Sequence, residues 1–149
     1  MAIHFFTEDI RFQLPNKLTR KRWLKEIASG EGFKIIELNY IFCSDEYLHQ
    51  INVDYLNHDT LTDIITFDNS DEKGKIEGDI FISIDRVFDN AKTHHSSNED
   101  ELSRVISHGL LHLMGYKDKK KEDASLMRSK ENLAIDLFHK INVPRGTGN

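Results

Sequence analysis

The segment SHGLLHLMGYKD, residues 107–118, places two histidines four apart, then a glycine and an aspartate at intervals of three. On a helix, His108 and His112 project from one face a single turn apart, the spacing at which two imidazoles can share one metal ion. Taken alone, the pair is equally compatible with packing. Gly115 adds a reason to read it as a site, because glycine adopts the left-handed conformation that reverses a chain at a helix end. That reversal brings Asp118 back toward the helix face. The resulting set of His108, His112 and Asp118 leaves a coordination position open for water, as in catalytic zinc sites, whereas structural zinc sites are closed by a fourth protein ligand. Two histidines and a carboxylate also describe the facial triad of non-haem iron enzymes, so iron or nickel is an open alternative at this point.

The spacing is similar to that of the zinc peptidases, in which the residue after the first histidine is a glutamate acting as general base. Here that residue is Gly109. Glycine cannot take a proton from water, so the expectation is a zincin-like metal-site helix without peptidase chemistry.

The elements that must position this set can be traced along the 149 residues. AIHFF near the start and KIIELNYIFCS (Lys34 to Ser44) have the β-branched and aromatic content of strands. Between them Leu18, Trp23, Leu24 and Ile27 recur at helical spacing up to Gly30 and Gly32. Ser44 is a candidate cap for a second helix carrying Leu48, Ile51 and Tyr55 on one stripe. TDIITF (Thr62 to Phe67) and IEGDIFISI (Ile76 to Ile84) read as strands joined by a polar loop. DRVFDNAKTHH then turns helical, and NEDELSRVISHGLLHLMG forms the metal-site helix, with Asn98 or a neighbour as cap and Gly115 as stop. A last helix runs about from Glu122 to Ile141, followed by the tail NVPRGTGN. The pattern predicts an α+β fold, one domain over residues 1–149, with a small mixed sheet of about four strands and about five helices.

Composition narrows the function classes. With 38% hydrophobic and 30% charged residues the chain reads as globular. No apolar run reaches bilayer length and the start lacks a secretory pattern, so a cytoplasmic protein with no membrane partner is expected. The single cysteine, Cys43, reads as a small buried strand residue. A formal charge of −5 argues against a general nucleic-acid coat protein. Local basic clusters remain, Lys17, Arg20, Lys21, Arg22 and Lys25 on the first helix and KDKKK at 117–121, both read as solvated faces.

These residues carry a closer resemblance, to the YbeY family of bacterial endoribonucleases. The run from His108 to Asp118 matches the family signature at nearly every position, and DELSRVISHG, TDIITF and EGDIFIS resemble its flanking segments. Met127 and Glu131 extend the match, which spans at least Tyr55 to Leu133. The resemblance implies a zinc-dependent, single-strand-specific endoribonuclease acting in 3′-end maturation of small-subunit ribosomal RNA and in ribosome quality control. The implied cofactor is one zinc ion per chain, with another divalent metal as the alternative. The implied partners are single-stranded ribosomal RNA and the small ribosomal subunit, and not DNA.

This chain departs from the family pattern in two places. The family's third histidine is Asp118 here, which puts an anion where the family has a neutral ligand. The family's arginine after the tyrosine is Leu56, so either the phosphate contact passes to another base, with Lys117, Lys119 and Lys120 as candidates, or nuclease activity is lost. On the second branch the protein is a ribosome-binding or assembly factor whose metal only braces the helix end.

The sequence names no general acid or base. Asp63 and Asp79 read as hydrogen-bonding carboxylates at strand ends. His94 and His95 read as an exposed helix end, and His4, His49, His58 and His139 as surface or packing residues.

Overall fold

The computed structural model describes residues 2–56 and 62–143. In order, the elements are β1 (Ala2–Thr7), α1 (Lys17–Gly30), β2 (Lys34–Cys43), α2 (Asp45–Leu56), β3 (Ile64–Asp68), β4 (Lys75–Ser83), α3 (Ile84–Thr93), α4 (Asn98–Leu113) and α5 (Lys121–Ile141). The four strands form one mixed sheet of order β1-β2-β4-β3. β1, β2 and β4 run parallel, and β3 closes one edge antiparallel to β4 with Ile65 opposite Phe81. The α+β expectation holds, with the expected numbers of strands and helices.

Alternation along β4 explains how the sheet serves two layers. Ile80 and Ile82 join the main core with Trp23, Leu38, Leu110 and Phe138. Phe81, between them, packs instead with Ile65, Leu48 and Ile51, where α2 covers the other face. Buried polar groups lock the helices at fixed heights. The Trp23 indole donates to the carbonyl of Ala134 at 2.8 Å, tying α1 to α5, and the Tyr40 hydroxyl donates to the carbonyl of Ile106 at 2.8 Å, tying β2 to α4.

Two apolar stripes differ from their sequence reading. Leu18 is 82% exposed and Tyr55 is 73% exposed, so neither joins the core. In α1 the inward position goes to Arg20, which is fully buried. Its guanidinium donates to Ser103 Oγ at 3.0 Å and to the Pro15 carbonyl at 3.2 Å, and it lies 4.3 Å from the centre of the Phe138 ring. Arg20 therefore leaves the solvated basic face assigned to it, because a paired and stacked guanidinium can be buried where a lysine could not.

Glycines let α4 settle on the sheet. A Cβ at Gly78 would lie 2.8 Å from the carbonyl oxygen of Phe67 and 2.9 Å from Leu113. At Gly109 it would lie 2.9 Å from Ile80 and 3.1 Å from Ile64. Gly109 thus faces the sheet. A glutamate at this position, as in the peptidases, would be driven into the core and away from His108 and His112.

Cys43 is buried, and burial pushes its thiol up to about 12, consistent with a packing role. No helix among the described residues is long and apolar enough to cross a membrane. His58 and most of the tail lie outside the described residues.

Candidate metal centre

Helix α4 begins at Ser97, whose hydroxyl accepts from the backbone N–H of Asp100 at 3.0 Å, with Glu99, Asp100 and Glu101 in the favourable first turn. It ends where Gly115 takes φ = 101°, with the Gly115 N–H bonded to the His112 carbonyl at 3.0 Å and the Tyr116 N–H to the Leu111 carbonyl at 3.0 Å. This reversal delivers Asp118 to the imidazoles. Asp118 Oδ2 lies 3.2 Å from His108 Nε2 and 3.3 Å from His112 Nε2. All the donor atoms of this group lie within 4.8 Å of one another.

These separations can be tested against a metal. Ligands held at about 2.0–2.2 Å around a tetrahedral ion must stand about 3.3–3.6 Å apart. The two contacts, at 3.2 and 3.3 Å, fall just below and at the lower bound of that span, and the donor types, two imidazole nitrogens and a carboxylate oxygen, suit zinc and its neighbours. The group could hold a metal ion.

Residues that sequence reasoning did not assign support this triad. Glu131 of α5, almost fully buried, reaches His108 Nδ1 with its Oε2 at 2.5 Å. This contact fixes the ring with Nε2 toward Asp118, the carboxylate-histidine arrangement common behind metal ligands. Arg104, one turn before His108, donates to Glu131 Oε1 at 3.0 Å and to Asn132 Oδ1 at 2.9 Å. Burial works against charge on His108, yet its hydrogen bond and proximity to Glu131 outweigh this and hold the imidazole above its ordinary value. Burial likewise pushes the Glu131 carboxyl up, but hydrogen bonds from His108 and Arg104 hold it below its usual range.

The triad opens into a cleft of about 340 Å³ between β3, α3, α4 and α5. Thr62, Asp63 and Thr66 form one wall. Burial pushes the Asp63 carboxyl upward, opposed by the nearby His108. Arg104 and Arg128 supply the guanidiniums of the cleft, whereas Lys117, Lys119 and Lys120 are exposed and do not line it. Asp79 lies elsewhere, accepting from the amides of Asn39 at 3.0 Å and Asn69 at 3.4 Å.

His94 is the exposed helix end expected, the C-cap of α3, and it also lines the cleft. Its Nδ1 lies 3.4 Å from the buried Glu101. Among the other histidines, His4 lies 3.6 Å from Glu37 and His139 lies 2.8 Å from Asp100, both on the surface. The signal for the missed residues was helical spacing. Arg104 stands four before His108 and Arg128 three before Glu131, so each shares a face with a site residue.

Comparison with known proteins gives the family. The model described as endoribonuclease YbeY matches residues 3–139. The chain belongs to the endoribonuclease YbeY family. A relative named endoribonuclease YbeY in Cytophaga hutchinsonii is 60% identical over 136 residues, covering 91% of this chain and 95% of that one. A YbeY relative in Flavobacterium johnsoniae is 54% identical over 134 residues, covering 90% and 96%. A solution structure from Thermotoga maritima has a similar fold, with TM-score 0.66, 24% identity and coverage of 99% and 100%. The YbeY match reaches well beyond the stretch from Tyr55 to Leu133 that carried the resemblance, into β1 and nearly to the end of α5.

Proposed function

We propose that this chain is a zinc-dependent endoribonuclease, acting as one domain over residues 1–149 and holding one ion with His108, His112 and Asp118. The observation that carries the reading is the meeting of two imidazole Nε2 atoms on one carboxylate oxygen, 3.2 and 3.3 Å away, at the floor of a cleft that also contains guanidiniums. A divalent ion in that position supplies Lewis acidity toward water and toward a phosphoryl oxygen. The protein's own part is to hold the three donors, to orient His108 through Glu131 and to keep Glu131 in place through Arg104.

The substrate is single-stranded RNA. The cleft is the size of a small-ligand pocket, which admits an unstacked nucleotide but not the stiff rod of a duplex. By the names of its relatives the reaction is endonucleolytic. By the family resemblance the target is the 3′ end of small-subunit ribosomal RNA, met on the small subunit in the cytoplasm, and the same cut serves ribosome quality control. The open four-stranded sheet also differs from the closed or double-sheet architectures that the iron-oxygenase alternative would call for.

The test is cleavage of a single-stranded RNA by purified protein, with and without a chelator, beside His112→Ala. The expected result is loss of cutting in both cases, restored to wild type by zinc, with about one zinc per chain by elemental analysis. Undiminished cutting under chelation would overturn the metal-dependent reading, and a metal-loaded chain that never cuts RNA would favour the assembly-factor alternative.

A further inference from the structure

The cleft's charges are unevenly committed. Asp63, Glu101, Asp118 and Glu131 face Arg104 and Arg128 across it. With all six ionised, the wall carries two negative charges in excess, which one divalent ion would neutralise. A phosphodiester entering that neutral site gains nothing from overall charge, so it needs a guanidinium free to turn toward it.

Arg104 is not free. Both terminal nitrogens are occupied, one by Glu131 and the other by Asn132, which makes it a positioning residue for the carboxylate behind His108. Leu56 is 40% exposed but apolar, and offers a phosphate nothing. Arg128 differs from both. It lines the cleft, its side chain is exposed, and its guanidinium makes no hydrogen bond or ion pair among the described residues. It stands three residues before Glu131 on α5, about 4.5 Å along the helix axis at 1.5 Å per residue, and so on the face of α5 that looks onto the triad.

We propose that Arg128 is the phosphate-binding residue of this site, supplying the bidentate fork that Leu56 cannot, while Arg104 is reserved for holding Glu131. This rests on the endoribonuclease reading. It also replaces Lys117, Lys119 and Lys120, which lie outside the cleft, as the source of that contact.

The test is the steady-state cleavage of a single-stranded RNA oligonucleotide by the zinc-loaded chain across a salt series, for wild type, Arg128→Ala and Arg128→Lys. Losing one phosphate contact on a single strand should make the fall of log(kcat/KM) with log salt shallower by about 0.7. Arg128→Ala should also raise KM about tenfold with kcat little changed, at unaltered zinc content and melting temperature. Arg128→Lys should restore the salt slope, since the charge returns, but only part of the KM, since the fork does not. Wild-type values of both slope and KM in Arg128→Ala would overturn the assignment while leaving the endoribonuclease reading intact. A zinc-loaded wild type that cuts no RNA would overturn both.

Discussion

At the residue scale, the site is built in two tiers, and the outer one has its own measurable consequence. Glu131 is buried and shared between His108 and Arg104. Glu131→Gln keeps the shape of the side chain but removes the charge that orients the imidazole. Zinc affinity, measured by competition with a chromophoric chelator, should fall about 10- to 100-fold, the usual cost of losing such an outer partner. An unchanged affinity would show that His108 is oriented by packing alone. Asp118 marks a different point. It was legible in the sequence because it follows a glycine at the end of a helix that already carried both histidines, and a local turn is enough to place it. Glu131 and Arg104 had no such local signal joining them, since 27 residues separate them in the chain.

At the scale of elements, the site depends on how closely α4 lies on the sheet. Gly78 of β4 is the tightest point, with the Phe67 carbonyl oxygen and the Leu113 side chain both within 3.0 Å of where a Cβ would stand. The carbonyl belongs to the paired neighbour β3 and cannot swing aside as a side-chain tip can. Gly78→Ala should therefore destabilise the protein by about 1–3 kcal/mol, the range for overpacking a filled interior, read as a lower midpoint in urea unfolding at unchanged slope. A neutral effect would mean that β3 and α4 can separate without cost. The strands and helices were readable from periodicity and caps, including Ser44, whose hydroxyl accepts from the Tyr47 N–H at 3.0 Å. The errors fell where a residue's type and its burial part company. Leu18 and Tyr55 continue apolar stripes but stay mostly exposed, Tyr55 making only an edge contact with the Phe67 ring of β3, and Arg20 interrupts a basic face because Ser103 and Phe138 offer it a lined slot.

At the scale of the whole molecule, Glu31 joins three separate parts of the chain. From the end of α1 it accepts from the Tyr116 hydroxyl at 2.8 Å and from Lys130 at 3.0 Å, and so ties α1 to the turn that carries Asp118 and to α5. Burial pushes the Glu31 carboxyl up, but the hydrogen bonds from Lys130 and Tyr116 more than offset it and leave the group below its ordinary value. A carboxyl depressed in the folded state stabilises the protein fully above its unfolded value, near 4.5. That contribution is lost as pH falls through the lower, folded value. Glu31→Gln should accordingly be less stable than wild type at neutral pH, with the difference shrinking as the pH falls below about 4.5. Urea unfolding across a pH series would show it; a pH-independent difference would mean that Glu31 acts through shape and not through charge.

The sequence alone determined what is local. Helical periodicity sets His108 and His112 on one face, a left-handed glycine returns Asp118 to them, and the absence of a glutamate at position 109 removes the peptidase base. All of this follows from backbone geometry within a dozen residues. Only the tertiary structure decided which cations share the site and which carboxylate stands behind it. The packing of α5 against α4 brings Glu131 to His108, commits Arg104 and leaves Arg128 open, while the nearby lysines face solvent. Contacts between segments distant in the chain depend on how whole faces interlock, and no spacing within either segment encodes them.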